Sequence, residues 1–138
     1  MHSESALLAL QRATHATLHR LSGELADLEL TAAEINVLAN LADGRGRTVS
    51  VLGAAVGTRS STLTGVLDRL ERRGHIARAP SPADRRAVVV SPTESGRRAA
   101  QTIRRTMANL ERRALSGLPD DAVAGFHAVL AALTEVSA

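Results

Sequence analysis

Leucine, valine, isoleucine and alanine recur at helical spacing in six stretches of this chain. From Ala6 to about Leu28, the residues Leu7, Leu10, Leu18, Leu21 and Leu25 fall along one side of a helix. Thr31-Ala32-Ala33-Glu34 is a T-x-x-E capping box, in which hydroxyl and carboxylate each accept from the other residue's backbone N–H. It opens a second helix with Ile35, Leu38, Leu41 and Ala42 facing inward, which the glycines of Asp43-Gly44-Arg45-Gly46 bring to an end. Thr48 or Ser50 caps a short third helix running through Val56, with Leu52 and Val56 apolar. Gly57-Thr58 then makes a tight turn, and Thr58 is expected to cap a fourth helix that runs to Arg73 and stops at Gly74. Thr93 caps a long fifth helix with Ala99, Ile103, Met107, Leu110 and Ala114 on its apolar side. Gly117-Leu118-Pro119 breaks it. Asp120 or Asp121 caps a last helix with Val123, Phe126, Leu130 and Leu133 on one face.

One region departs from this rhythm. His75 to Ala79 and Ala87 to Ser91 have strand character, with Pro80 and Pro82 between them, and read as a two-stranded hairpin with a loop of roughly seven residues. The predicted order is therefore four helices, a hairpin and two helices. Two short helices joined by a glycine-containing turn, with a hairpin directly after the second, form a winged helix-turn-helix. The expected fold class is mainly α with a small two-stranded β wing, the winged core flanked by N- and C-terminal helices.

The fourth helix, in TRSSTLTGVLDRLERRG, separates its faces cleanly. Leu63, Val66, Leu67 and Leu70 share the inward face. At about 100° per residue, Ser61, Gly65, Asp68 and Arg72 point nearly the opposite way, with Thr62 and Arg69 beside them. Such a face suits a major groove: short hydroxyls reach base edges or phosphates without bulk, glycine lets the backbone approach, and arginine bonds guanine through two donors. The free N–H groups at the helix start favour a phosphate. In SPADRRAVVVSPTESGRR the triplet Asp84-Arg85-Arg86 falls at or near the hairpin tip, and Val88-Val89-Val90 is the strand that roots it. An arginine at such a tip can enter the narrow minor groove. Asp84 can hold a neighbouring guanidinium by a charge-assisted bond.

Charge supports this placement. The formal net charge is +3, and every basic residue is arginine. Between Arg45 and Arg105 thirteen arginines face four carboxylates, a net +9, while the flanks together carry four arginines and ten acids, a net −6. A basic middle between acidic ends points to a polyanion-binding face. The 138 residues suffice for one domain with a core, and the single aromatic, Phe126, makes that core aliphatic. No apolar run reaches the roughly 18 residues of a membrane span. MHSESALLAL does not read as a signal peptide, so the expectation is a cytoplasmic protein with no membrane partner. The absence of cysteine excludes disulfides, thiolate metal sites and cysteine nucleophiles.

The segments LTAAEINVLANLA, TVSVLGAAVGTRSSTLTGVLDRLERRGHIAR and DRRAVVVSPTESG together resemble the MarR family of bacterial winged helix-turn-helix transcriptional regulators. The match runs from about Leu30 to Gly96, and its most specific part is the D-R-R wing, β run and T-x-x-G. Ser91-Pro92-Thr93 departs from it, since the family more often has leucine before the threonine. The resemblance implies a single MarR-like domain over residues 1–138, with a winged-helix DNA-binding lobe at 30–93 and helical dimerisation regions at 1–29 and 94–138. It implies a homodimeric repressor that binds a near-palindromic operator in double-stranded DNA and is released by a small anionic or aromatic ligand. Carried over residue by residue, Arg59, Ser60, Ser61, Thr62, Thr64, Gly65 and Arg69 are the recognition-helix candidates, and Asp84, Arg85 and Arg86 are the wing candidates.

His15 and His19, spaced i, i+4, can line an effector pocket, bind an anion when protonated, or stand half-exposed on an interfacial helix. They lack a further ligand at metal-site spacing, so no metal or cofactor is expected. His75 and His127 read as structural, with His75 standing where an apolar residue is usual. Asp84 has no carboxylate or histidine near it in sequence, and Gly44-Arg45-Gly46-Arg47 lacks the Gly-Lys-Ser/Thr ending of a phosphate loop. No catalytic triad, H-E-x-x-H or dinucleotide fingerprint is present, so the chain is not expected to be an enzyme. The alternative is a winged-helix module for protein–protein assembly without specific DNA binding, which differs in its weaker dependence on salt.

Overall fold

The computed structural model describes residues 4–137; His2 lies outside them. Helix α1 (Ala6–Glu24) starts at Ser5, whose hydroxyl accepts from the Leu8 N–H. It is followed by a 3₁₀ turn (Ala26–Leu28) and by Glu29 in the left-handed region at φ 55°. Helix α2 (Ala32–Ala39) carries the expected capping box: Thr31 Oγ1 accepts from Glu34 N–H at 3.2 Å, and Glu34 Oε1 accepts from Thr31 N–H at 2.9 Å. That bond explains how Glu34 is tolerated at 3% exposure. α2 ends at Ala39, short of the expected Asp43; the Asn40 amide bonds the Asn36 carbonyl at 2.8 Å, and a turn takes over. Leu41 in that turn is nonetheless fully buried.

Of the two cap candidates for α3 (Val49–Val56), Thr48 serves, accepting from Val51 N–H at 3.2 Å. Thr58 does not cap α4 (Ser60–Arg72). Its backbone N–H bonds Gly53 O at the end of α3, and the cap position passes to Arg59, which makes no side-chain cap bond. The end of α4 is a Schellman motif, with His75 N–H on Leu70 O, Gly74 N–H on Glu71 O, and Gly74 at φ 78°.

The wing differs from the two-stranded expectation. A two-residue strand β1 (Arg47–Thr48) pairs with β3 (Val88–Pro92), which also pairs with β2 (Ile76–Pro80), giving an antiparallel sheet of order β1-β3-β2. Two residues carry no readable alternation, so β1 was invisible to pattern. Its close approach needs Gly46, where a Cβ would lie 2.7 Å from Ser91 Oγ. The Val88–Val90 run is thus a central strand, with Val90 fully buried opposite Arg47 on one side and Arg78 on the other. Both hairpin strands are displaced by one residue from the expected bounds.

The chain divides into two compact units, residues 1–106 and 107–138. In the first, Ile35, Leu38, Leu41, Leu52, Leu63, Val66, Leu67, Leu70, Ile76 and Val90 form the core of the winged lobe. Leu21 and Leu25 at the end of α1 and Ala99, Ala100 and Ile103 of α5 (Glu94–Leu115) are also buried. Leu7 and Leu18, on the apolar side of α1, are exposed. In the second unit no residue of α6 (Asp120–Ser137) is buried: Phe126 is 51% exposed and Val136 84%. Asp120 and Asp121 stand in the first turn of α6. No helix of the described residues is long and apolar enough to cross a membrane.

Candidate nucleic-acid interface

Helix α4 buries Leu63, Val66, Leu67 and Leu70, and this fixes which side faces out. Arg59, Ser60, Ser61, Thr62, Thr64 and Arg69 are all exposed and Gly65 is half-buried, so the seven recognition-helix candidates share one surface. Thr64 Oγ1 donates to Ser60 O at 2.9 Å, turned back onto its own helix. Because Arg59 makes no side-chain cap bond, the first N–H groups of α4 keep their bonding capacity for an external acceptor. Gly65 is informative for what it does not do. A Cβ there would meet only Arg69 Nη1, at an ordinary 3.7 Å, so nothing inside the chain requires glycine in mid-helix.

The wing loop is a structured turn. The Asp84 carbonyl accepts from Ala87 N–H at 3.0 Å, closing a β-turn whose two central residues are Arg85 and Arg86. Asp84 Oδ1 accepts from Arg86 N–H at 3.0 Å, an Asx-type bond that sets the same turn, and Ser81 Oγ accepts from Ala83 N–H. The expected pairing with a neighbouring guanidinium is present only as a loose ion pair: Arg86 Nε stands 3.9 Å from Asp84 Oδ1, with the Arg86 side chain 96% exposed. Asp84 therefore shapes the tip that presents both arginines. Arg85 lies back along the hairpin in a shallow groove with Arg78, Ala79, Pro80 and Val88, whereas Arg86 projects.

Several ionic contacts escaped sequence reasoning. Arg78 on β2 donates from Nη2 to Asp68 Oδ1 at 2.7 Å and to Glu71 Oε1 at 2.8 Å, joining the wing to α4. Asp68, expected on the outward face, is half-buried by this pairing. The bond from Arg78 holds the Glu71 carboxyl below its usual range, and both carboxylates raise Arg78. At the C-terminal end of α4, Arg73 donates to the carbonyls of Leu28 (2.9 Å) and Glu29 (2.5 Å), tying the α1–α2 linker to that helix end. Asp43 accepts two bonds from Arg47, at 2.7 and 2.9 Å, which with the Arg45 N–H hold its carboxyl well below the usual range. For the Arg78 and Arg47 ion pairs the only sequence signal was the presence of both charges, and for Arg73, bonded to backbone carbonyls, there was none.

The T-x-x-G segment also acquires a physical reason. Thr93 Oγ1 donates to Gly74 O and accepts from Gly96 N–H at 3.1 Å, so one hydroxyl both caps α5 and fastens it to the end of α4. A Cβ on Gly96 would sit 1.9 Å from His75 O, so only glycine permits this crossing. The His75 ring lies 2.7 Å from Ser95 Oγ, and burial, then Arg73, push its pKa below the ordinary imidazole value.

His15 and His19 are exposed on α1. A cleft of about 580 Å³ opens among Ala39, Asn40, Asp43, Arg47, Gln101, Arg104 and Arg105. Among the described residues no group of three or more His, Cys, Asp or Glu side chains could hold a metal ion.

Residues 27–87 match the MarR family model. The helix-turn-helix-type transcriptional regulator TtmR of Methylorubrum extorquens is 37% identical over 89 residues, which are 64% of this chain and 46% of that protein. The chain thus matches less than half the length of this curated relative. Among solved structures, CouR from Rhodococcus jostii bound to p-coumaroyl-CoA is 27% identical with a TM-score of 0.81, covering 91% of this chain and 89% of that one. MepR of S. aureus in complex with DNA shares the fold at 18% identity, with a TM-score of 0.81 over 97% of this chain and 99% of that one. With the winged lobe and the structured D-R-R tip, residues 27–87 carry the match to the MarR family, and the fold around them is that of MarR-type winged-helix regulators.

Proposed function

We propose that this chain is a sequence-specific regulator that binds double-stranded DNA as a homodimer, with α4 in the major groove and the wing tip at the adjacent minor groove. The observation that carries this reading is the pairing of two exposed surfaces on one lobe. The α4 face from Arg59 to Arg69 is hydroxylic, glycine-bearing and basic, and Asp84 shapes a tight turn that presents Arg85 and Arg86. Two acids nearby, the half-buried Asp68 and the exposed Glu71, are paired with Arg78. In this arrangement α4 residues read base edges, and Arg86, whose side chain is 96% exposed at the tip, takes the minor groove.

The dimer reading is supported by apolar surface: Leu7, Leu8, Leu18, Leu118, Phe126 and Val129 are exposed in the isolated chain. A two-fold dimer presents two α4 helices to half-sites about one helical turn apart and so favours a near-palindromic operator. Occupying such a site blocks other proteins from it, which makes repression the natural output. Release by a small organic acid fits the cleft lined by Arg47, Arg104 and Arg105 better than it fits His15 and His19. CouR, a relative in fold and sequence, is bound to p-coumaroyl-CoA.

The test is fluorescence anisotropy with the duplex upstream of the chain's own coding sequence, against a scrambled duplex, at 50 and 200 mM salt. A strong preference is expected, with affinity falling roughly a thousandfold between the two salts if at least about six phosphates are neutralised. Arg86→Ala and Arg85→Ala should weaken binding while the dimer stays intact. Wild-type affinity in both variants would remove the wing from the mechanism, whereas absence of DNA binding, or only a weak salt dependence, would favour protein–protein assembly.

A further inference from the structure

Resting on the DNA-binding reading above, the geometry points to Arg78 as a positioning residue, one that fixes the angle between the wing and α4 and thereby the spacing at which one lobe meets two grooves. β2 is an edge strand: its backbone is paired on one side only, with β3. It follows α4 after the short Arg73-Gly74-His75 connection, and its far end carries the seven-residue loop Ser81–Ala87 that bears the wing arginines. A hairpin attached in this way can pivot about its root unless something braces it from the side.

Arg78 stands in the middle of β2 and provides that brace. One terminal nitrogen reaches Asp68 at 2.7 Å and Glu71 at 2.8 Å, two acids about one turn apart on α4, so a single guanidinium spans strand and helix. The Arg78 side chain is 26% exposed, against 48% for Asp68 and 42% for Glu71, so the brace acts through its geometry, one group held by two acids, more than through the strength of either pair. On the opposite side of the ladder Arg78 pairs in register with the fully buried Val90, which ties the brace to the lobe core. A second consequence is electrostatic. Asp68 lies between Gly65 and Arg69 on the one hand and Arg72 on the other, so an unpaired carboxylate there would repel the phosphates that α4 must approach. Arg78 therefore both aims the wing and silences two acids, without needing to touch DNA.

The experiment takes a duplex enriched from a random pool by the wild-type protein and compares its affinity with that of a scrambled duplex. Arg78→Met keeps the aliphatic stem and removes the brace; thermal unfolding by circular dichroism confirms that it folds. The expected result is a fall in preference of roughly tenfold or more, the scale of one lost groove contact. Adding Arg86→Ala should then cost little further, because a wing that is not held no longer delivers Arg86. The double variant Asp68→Asn with Glu71→Gln leaves Arg78 in place without its partners. It should bind all DNA more tightly, having lost two negative charges, yet lose the same preference.

Full additivity of Arg78→Met and Arg86→Ala would overturn the inference. So would a gain in preference by the Asn/Gln protein, which would make Arg78 a direct DNA contact freed from its partners. If the wild-type protein enriches no duplex, the DNA-binding reading itself falls, an outcome distinct from either.

Discussion

Gly65→Ala should make this protein more stable and a poorer DNA binder, and the opposite signs are the diagnostic. Glycine in a helix interior costs about 0.8–1.0 kcal/mol relative to alanine, because it gives up more backbone freedom on folding. That cost is recovered on substitution only if the new methyl has room. At Gly65 the added carbon meets Arg69 Nη1 at 3.7 Å, ordinary contact with the end of a flexible side chain, and nothing nearer. The fold should therefore gain close to the full amount, raising a urea midpoint by a few tenths of a molar or more for a slope of about 1–3 kcal/mol/M. Protomer concentration must be held constant, since a dimer's midpoint depends on it. On DNA the same methyl intrudes between the α4 backbone and the groove, and forcing extra volume into a packed contact typically costs about 1–3 kcal/mol, roughly ten- to a hundredfold in affinity. Paired urea titrations and anisotropy measurements on one preparation decide the matter. A stabilised variant with unchanged affinity would refute the close approach of α4 to the groove. A destabilised one would refute the accounting at Gly65 itself.

Gly96→Ala is the contrasting case: its methyl would lie 1.9 Å from the His75 carbonyl, backbone against backbone. It should destabilise by about 1–3 kcal/mol or more, seen as a lower urea midpoint, and an unchanged midpoint would contradict the crossing described. For His75, burial and Arg73 lower the pKa of the folded state, so below the ordinary value near 6.5 the unfolded chain binds the proton first and stability falls as pH falls. Comparing wild type with His75→Leu from pH 7.5 to 5.5 should show this part of the slope vanish in the variant; parallel profiles would exclude it. Phe126→Asp, at a side chain already 51% exposed, should leave the fold intact but halve the mass in sedimentation, and a persistent dimer would place the interface elsewhere.

What the sequence disclosed and what it withheld divide along a physical line. Helix α4 was legible because a 3.6-residue period, a glycine stop and an arginine-rich outer side all lie within one short segment. The capping box at Thr31 and Glu34 was legible for the same reason, since both of its bonds close over three residues. β1 was not, because two residues have no period and exist as a strand only through Val89 and Val90 of a distant segment. The cap of α4 was misplaced from Arg59 to Thr58 because propensity favours threonine, while the Gly53 carbonyl had already engaged the Thr58 N–H. α1 showed a complete apolar stripe, yet only Leu21 and Leu25 of it are buried in the isolated chain. A stripe states that a surface needs covering, not what covers it. At the wing, sequence placed Asp84 at the tip beside a neighbouring guanidinium but missed its tighter bond to the Arg86 backbone, since Asx turns bond a backbone two residues on and leave no mark on composition.

The same distinction governs how the basic charge should be counted. Thirteen arginines lie between Arg45 and Arg105, but the structure shows several guanidinium groups already engaged. Arg47 is bonded to Asp43, Arg73 to two carbonyls, Arg78 to Asp68 and Glu71, and Arg98 to Glu94. Arg104 and Arg105 line the cleft near α2. The proposed interface draws instead on Arg59, Arg69, Arg85 and Arg86, four in each protomer and eight in a dimer. Each arginine that neutralises a phosphate releases counterions, so log Kobs against log salt should fall with a slope of about −0.9 per contact, or about −7 for eight. If all the arginines of the basic middle acted, the slope would lie near −20 or beyond by the same rule. Titrating affinity against salt from 50 to 300 mM separates these cases, and a value near −7 should drop by roughly two in Arg86→Ala, which removes one contact from each protomer. A slope of −2 or shallower would mean that the exposed arginines of α4 and the wing do not meet a nucleic-acid backbone.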